Sequence, residues 1–218
     1  MKSIVRIATF GLCLFSFAGF SQNKVEIGLR FIPQATTFRY TSGAGALADF
    51  LKVTAPYYSR IRTAQGIGIL YQPYKRVSLG ADLLYSLQGG GYEQRKTNVN
   101  YVQLPLWIGY NSSDKRKLIF TLQSGIELSY LLSAKIKYQD GESTDIRNYI
   151  NTTSLGIPFA MGIKFRMLHT YFVTTQLYLY SDITSLASTN NSFGVYNYIY
   201  PGIRISINQD LKNFKRKK

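Results

Sequence analysis

Apolar side chains recur at every second position through most of this chain, a spacing that lines them up on one face of a β-strand. Residues 99–137 show it best. Val102, Leu104, Leu106, Ile108 and Tyr110 alternate along one run, and after a turn at 111–117 so do Leu118, Phe120, Leu122, Ile126, Leu128, Tyr130 and Leu132. The opposite face of the second run carries Thr121, Gln123, Gly125, Glu127, Ser129 and Ser133. Two strands joined by one tight turn are predicted, the second far longer than the usual five or six residues.

The same period predicts six further strands. The first runs from Lys24 to about Tyr40, with Val25, Ile27, Leu29 and Phe31 opposing Glu26, Gly28 and Arg30. A second covers roughly 61–72. The third, 76–88, sets Val77, Leu79, Ala81, Leu83, Tyr85 and Leu87 against Ser78, Gly80, Asp82, Ser86 and Gln88, with only Leu84 breaking the polar face. The last three are expected at 153–167, 171–182 and 194–208. No helix competes with them.

The connections alternate in length. Residues 41–60, 89–98, 139–150 and 184–193 read as long loops, the second opened by Gly89, Gly90 and Gly91, while 73–75, 111–117 and 168–170 read as short turns. An all-β, eight-stranded, antiparallel up-and-down transmembrane barrel arranges its extracellular loops and periplasmic turns in this way. An even strand count leaves both ends of the chain on the periplasmic side. A soluble eight-stranded barrel is the alternative, and it differs in which face is apolar. Here the polar face is rich in Gly, Ser, Thr and Gln and too narrow to coat a water-soluble surface. The apolar face is therefore placed toward lipid.

Ahead of the first strand, Lys2 and Arg6 precede an apolar run from Ile7 to Phe17 and then Gly19, Phe20 and Ser21. That order fits a cleaved secretory signal over residues 1–21, and the apolar run is too short to span a bilayer. The barrel is assigned to 22–208 and a basic periplasmic tail to 209–218. Cys13, the single cysteine, falls in the leader, which excludes a disulfide framework for the exported chain. The formal charge is +15, of which the leader carries two. For an exported chain such an excess points to an anionic membrane surface and away from nucleic acid.

Tyr40, Tyr57, Tyr58, Tyr71, Tyr74, Tyr110, Tyr138, Tyr171, Tyr196 and the single Trp107 fall near strand ends, as interfacial girdles require. The periodicity leaves open whether Trp107 faces lipid or lumen. Pro105, Pro158 and Pro201 interrupt strand patterns, and bulges are expected there.

The segments Tyr101-Val102-Gln103-Leu104-Pro105-Leu106, Gly125-Ile126-Glu127 and Tyr130-Leu131-Leu132-Ser133-Ala134-Lys135 resemble the small outer-membrane β-barrels of Bacteroidota often labelled PorT-like, barrels of the OmpX or OmpA kind. The resemblance runs from the leader to the eighth strand. It implies a small barrel with a porin-like fold, inserted in the outer membrane by the barrel-assembly machinery. Some members are similar to a factor of type IX secretion.

The polar face gathers Glu26, Arg30, Asp82, Glu127, Lys164, Arg166 and Arg204 as a lumen charge network. In so narrow an interior opposite charges should pair and block passage, because isolated buried charges are expensive. Lys75, Arg76, Lys115, Arg116, Lys117, Lys212, Lys215, Arg216, Lys217 and Lys218 form a periplasmic basic patch. Outer-membrane lipids and an envelope protein are the partners expected of such a surface. His169, the only histidine, sits in a periplasmic turn, whereas a lipid-modifying enzyme needs one on the outward side. No carboxylate pair, metal-ligand spacing or nucleophile motif stands out, so neither enzyme chemistry nor a cofactor is expected. The functions left open are a structural or interaction role in the envelope and that of an accessory secretion subunit.

Overall fold

The computed structural model describes residues 24–42, 57–92, 95–113, 116–168, 170–185 and 193–211, with the backbone alone at 38–42, 57–58, 92, 95 and 193–201. Among the described residues nine strands follow one another: β1 Lys24–Ser42, β2 Tyr57–Gln72, β3 Val77–Tyr92, β4 Arg95–Asn111, β5 Leu118–Lys137, β6 Ser143–Asp145, β7 Thr153–Arg166, β8 Tyr171–Asp182 and β9 Phe193–Asp210. β6 is a three-residue flap on the end of β5. The other eight are long, and all pair antiparallel. β9 returns to β1 from Glu26↔Asp210 to Ser42↔Phe193, and this seam closes the barrel.

Period 2 decides which way each side chain points. Leu29, Ile67, Leu83, Ile108, Ile126, Ile163, Leu177 and Ile207 stand on the outer wall, with Leu29 64% and Ile108 60% exposed. An apolar surface this continuous does not sit in water. The alternate positions, Glu26, Arg30, Asp82, Gln103, Thr121, Glu127, Gln176 and Arg204, are buried inside. The wall is greasy and the interior polar, the reverse of a soluble barrel.

Several boundaries differ from expectation. β2 begins at Tyr57, so 57–60 belong to a strand and not to the preceding loop. The triglycine segment is strand too: Gly89↔Asn98, Gly90↔Thr97 and Gly91↔Lys96 extend the β3–β4 hairpin, leaving only 93–94 between strands. The reason lies in what glycine lacks. At Gly89 (φ +153) a Cβ would run into the Thr97 carbonyl oxygen of β4, and Thr36 of β1 binds the same backbone from the other side, accepting from the N–H at 3.0 Å and donating to the carbonyl at 2.6 Å. At the other terminus β9 continues to Asp210, two residues into the expected tail, because Gln209 and Asp210 find ladder partners in Ile27 and Glu26. The proposed leader, including Cys13, lies outside the described residues, as does His169.

The prolines behave unequally. Register shifts flank Pro201 on both sides of β9. At Pro105 and Pro158 there is none: Pro105↔Glu127 and Pro158↔Tyr180 lie in unbroken ladders. Pairing lapses on the other side only, between Ala81↔Leu106 and Leu84↔Gln103 and between Ser124↔Phe159 and Glu127↔Gly156, with the register kept across each gap. A missing N–H faces one neighbour, so a strand can lose that bond without inserting a residue.

Candidate functional site in the barrel lumen

Side chains fill the lumen in layers, beginning at the short-turn end. There Glu26 on β1 accepts from Lys164 Nζ on β7 at 2.6 and 2.7 Å, one bond to each carboxylate oxygen. Lys24 Nζ joins at 2.9 Å and lies 3.8 Å from Asp210. Both ammonium groups rest on the buried Phe172 ring, 3.7 Å from its centroid for Lys24 and 4.5 Å for Lys164.

The next layer is centred on Asp82. Arg30 Nε donates to its Oδ1 at 2.9 Å, Arg204 Nη2 to its Oδ2 at 2.5 Å, and Trp107 Nε1 to the same Oδ2 at 2.9 Å. Arg204 Nη1 donates to Gln123 Oε1 and Gln176 Oε1, at 2.6 and 3.1 Å, and the guanidinium stacks 4.5 Å from the Trp107 ring, its Nε buried without a hydrogen-bond partner among the described residues. Arg30 reaches Asn208. Strands β1, β3, β4, β5, β8 and β9 are thereby tied across the interior. The cavity left among Arg30, Gln123, Lys164, Gln176, Arg204 and Asn208 is about 20 Å³, room for one water.

Above this lies an apolar layer of Ile32, Ala64, Leu84, Trp107, Ala160, Tyr178 and Tyr180. Trp107 meets Tyr178 edge to face, with centroids 6.2 Å apart. Glu127 enters this layer fully buried and is held by neutral donors: Gln103 Nε2, Ser129 Oγ at 3.2 Å and Tyr178 OH at 3.3 Å. Tyr180 OH donates to Asp182. A last cluster, Val99, Tyr101, Leu131 and Ala134, is roofed by Ile146 and Ile150 from the 138–152 connection.

Of the seven charges predicted for the lumen, six are buried there, in two ion-paired groups plus Glu127. Among the described residues no cation lies within ion-pair distance of Glu127, so pairing is not universal. Arg166 is half-buried at the short-turn end, 5.3 Å from the Phe172 ring. Trp107 belongs to the lumen and not to an interfacial girdle, whereas Tyr74, Tyr110 and Tyr171 are exposed at the short-turn end as a girdle requires. The side chains of Tyr40, Tyr57, Tyr58 and Tyr196 lie outside the described residues. Lys75 and Arg76 are exposed in the β2–β3 turn and Arg116 and Lys117 in the β4–β5 turn, at the same end of the barrel. Lys115, Lys212, Lys215, Arg216, Lys217 and Lys218 lie outside the described residues.

Period reading missed Lys24, Asp210, Tyr178, Tyr180 and Asp182. The signal for the β8 residues was present: Phe172, Thr174, Gln176, Tyr178, Tyr180 and Asp182 are the even positions of one strand, all turned inward. Among the described residues no three His, Cys, Asp or Glu side chains are grouped to hold a metal ion.

Among solved structures, Neisserial surface protein A covers 84% of this chain and 96% of its own length at 10% identity, with a TM-score of 0.52. OprG from Pseudomonas aeruginosa covers 87% and 95% at 10% identity and a TM-score of 0.46. The first of these likenesses establishes the fold alone. No curated protein matches the chain by sequence. The sequence model of a family described as an outer membrane protein beta-barrel domain matches residues 19–187, from ahead of β1 to beyond β8. A match of that extent, on a barrel whose wall is apolar outside, shows that the chain belongs to the outer membrane protein beta-barrel domain family and is a protein of the outer membrane.

Proposed function

We propose that the protein is a non-conducting, non-enzymatic barrel with a structural or interaction role in the cell envelope. The observation that carries this reading is the cross-linked lumen, where Asp82 binds Arg30, Arg204 and Trp107 while leaving space for about one water. Such a plug holds the wall in shape and offers no path for a solute. What acts on other molecules is then the rim. The test is current recording from the purified barrel in planar bilayers: a flat trace is expected, and steady unit conductance steps would overturn the reading.

A second reading makes the short-turn rim a docking surface. It rests on the exposure of Lys75, Arg76, Arg116 and Lys117 on two turns at one end, the end where the chain enters at Lys24 and leaves at Asp210. In this reading that end is periplasmic, the tail adds further cations, and the barrel is an accessory subunit of a secretion machine of the type IX kind. Crosslinking in native membranes separates the two. A stoichiometric envelope partner lost on removal of 212–218 favours the subunit, and recovery with lipid alone favours the stand-alone barrel.

A further inference from the structure

At the opposite end of the barrel the outer wall changes character within one strand pair. Along β4 and β5 the lipid-facing partners are Leu106↔Ile126, Leu104↔Leu128 and Val102↔Tyr130. A bulge at Leu132 follows, and the same face continues as Asn100↔Ser133, Asn98↔Lys135 and Lys96↔Lys137. The reverse face at this height, Val99↔Ala134 and Tyr101↔Leu131, is buried. Aliphatic side chains thus give way to an amide and hydroxyl step and then to lysines, all on the surface that lower down meets lipid tails.

Two arginines of β2 join this face. Arg60 Nη1 donates to Asn98 Oδ1 at 2.7 Å, and Arg62 Nη2 donates to the same oxygen. They span β3, which presents only Gly89 and Gly91 opposite Asn98 and Lys96. Arg62 Nε is buried without a hydrogen-bond partner among the described residues. The result is an open groove of about 490 Å³ lined by Arg60, Arg62, Lys96, Lys135 and Lys137 together with Asn98, Asn100 and Ser133. Among the described residues no carboxylate lines it. Asp145, across from Lys135 in β6, has its Oδ1 engaged by the Arg147 N–H at 2.8 Å.

Five cations line the groove, and the two arginines share one neutral acceptor; such charges repel one another and leave donors unspent, an arrangement relieved by an anion. Guanidinium pairs favour phosphate oxygens through parallel N–H bonds. Because the groove sits just past the last lipid-facing side chains, the phosphate it meets first belongs to a lipid. We propose that this groove binds the phosphate groups of an anionic lipid headgroup in the leaflet at the long-loop end. The inference goes beyond a filled lumen and needs only that the barrel spans a bilayer.

The test uses the full chain folded in nanodiscs of phosphatidylcholine, with lipid retention read by native mass spectrometry. The probe is diphosphorylated lipid A, set against its fully dephosphorylated form. Retention of the diphosphorylated lipid is expected to fall at least tenfold in Arg60→Gln/Arg62→Gln/Lys135→Gln, and to persist in Lys75→Gln/Arg116→Gln/Lys117→Gln at the other rim. Should the first triple variant fail to fold, the exposed pair Lys135→Gln/Lys137→Gln is measured in its place, with a severalfold loss expected. Equal retention of the two lipid forms, or loss only from the short-turn variant, overturns the proposal. If soluble inositol hexakisphosphate displaces the lipid stoichiometrically and binds as well without it, the site is for a free polyanion, and the lipid assignment is overturned. None of these outcomes bears on conductance, so this inference and the non-conducting reading fail separately.

Discussion

Arg30 and Asp82 are 52 residues apart in the chain and 2.9 Å apart in the lumen, on strands that are not neighbours. Arg204 takes the other oxygen of the same carboxylate, so one acid compensates two buried guanidinium groups. Asp82→Asn removes that compensation and leaves both cations stranded in the interior. Loss of a buried partner costs about 3–5 kcal/mol. The urea midpoint of the barrel in vesicles, followed by the folded band on unheated gels, is expected to drop accordingly. An unchanged midpoint would show that the layer contributes nothing to holding the wall.

Gly68 faces this pair from β2. A Cβ there would stand 1.8 Å from Asp82 Oδ1 and 2.6 Å from Arg30 Nη2. Gly68→Ala is expected to destabilise by about 1–3 kcal/mol, the usual range for overpacking. The penalty should shrink in an Asp82→Ala background, where the nearest atom is gone. A double-mutant cycle measures that coupling, and strict additivity would contradict the contact.

Leu106 and Trp107 are consecutive and face opposite ways, the first exposed on the wall and the second 4% exposed in the lumen. Leu106→Lys places a charge against lipid tails and is expected to cost about 2–4 kcal/mol near the midplane. Trp107→Phe deprives Asp82 of its indole donor and should cost about 1–3 kcal/mol. Both are read from equilibrium folding into vesicles.

The single tryptophan also reports its own side. Native emission is expected to resist brominated acyl chains, whereas the Trp107→Phe/Leu106→Trp swap should be quenched by them strongly. Equal quenching of the two proteins would mean that the β4 register is off by one residue.

Strand existence and facing were legible because period 2 is imposed by geometry: Glu26, Arg30 and Asp82 could be sent inside from their neighbours alone. Leu84 was read as an interruption of the polar face, yet it is buried beside Trp107, because a lumen of this width also holds an apolar layer. Gly89 to Gly91 looked like a loop by composition, and only the pairing with β4, which sets the Thr97 carbonyl where a Cβ of residue 89 would stand, shows why glycine is used in a strand. The cationic groove was hidden for a different reason. Its members come from β2, β4 and β5, and the bulge at Leu132 shifts the alternation in the last third of β5.

The seam between β1 and β9 sets the order in which this molecule can assemble. Every other long ladder joins strands that follow each other in the chain, apart from the short β6 flap, so each can zip as a hairpin. The seam joins Glu26 to Asp210 and has to wait for nearly the whole chain. Arg30 to Asn208 crosses it directly, and Arg204 brings β9 to Asp82. Before closure these groups lie on an open sheet in contact with water. Dehydration of the charges and completion of the wall are therefore one event, and a chain shortened within β9 stalls with its acids and bases still solvated.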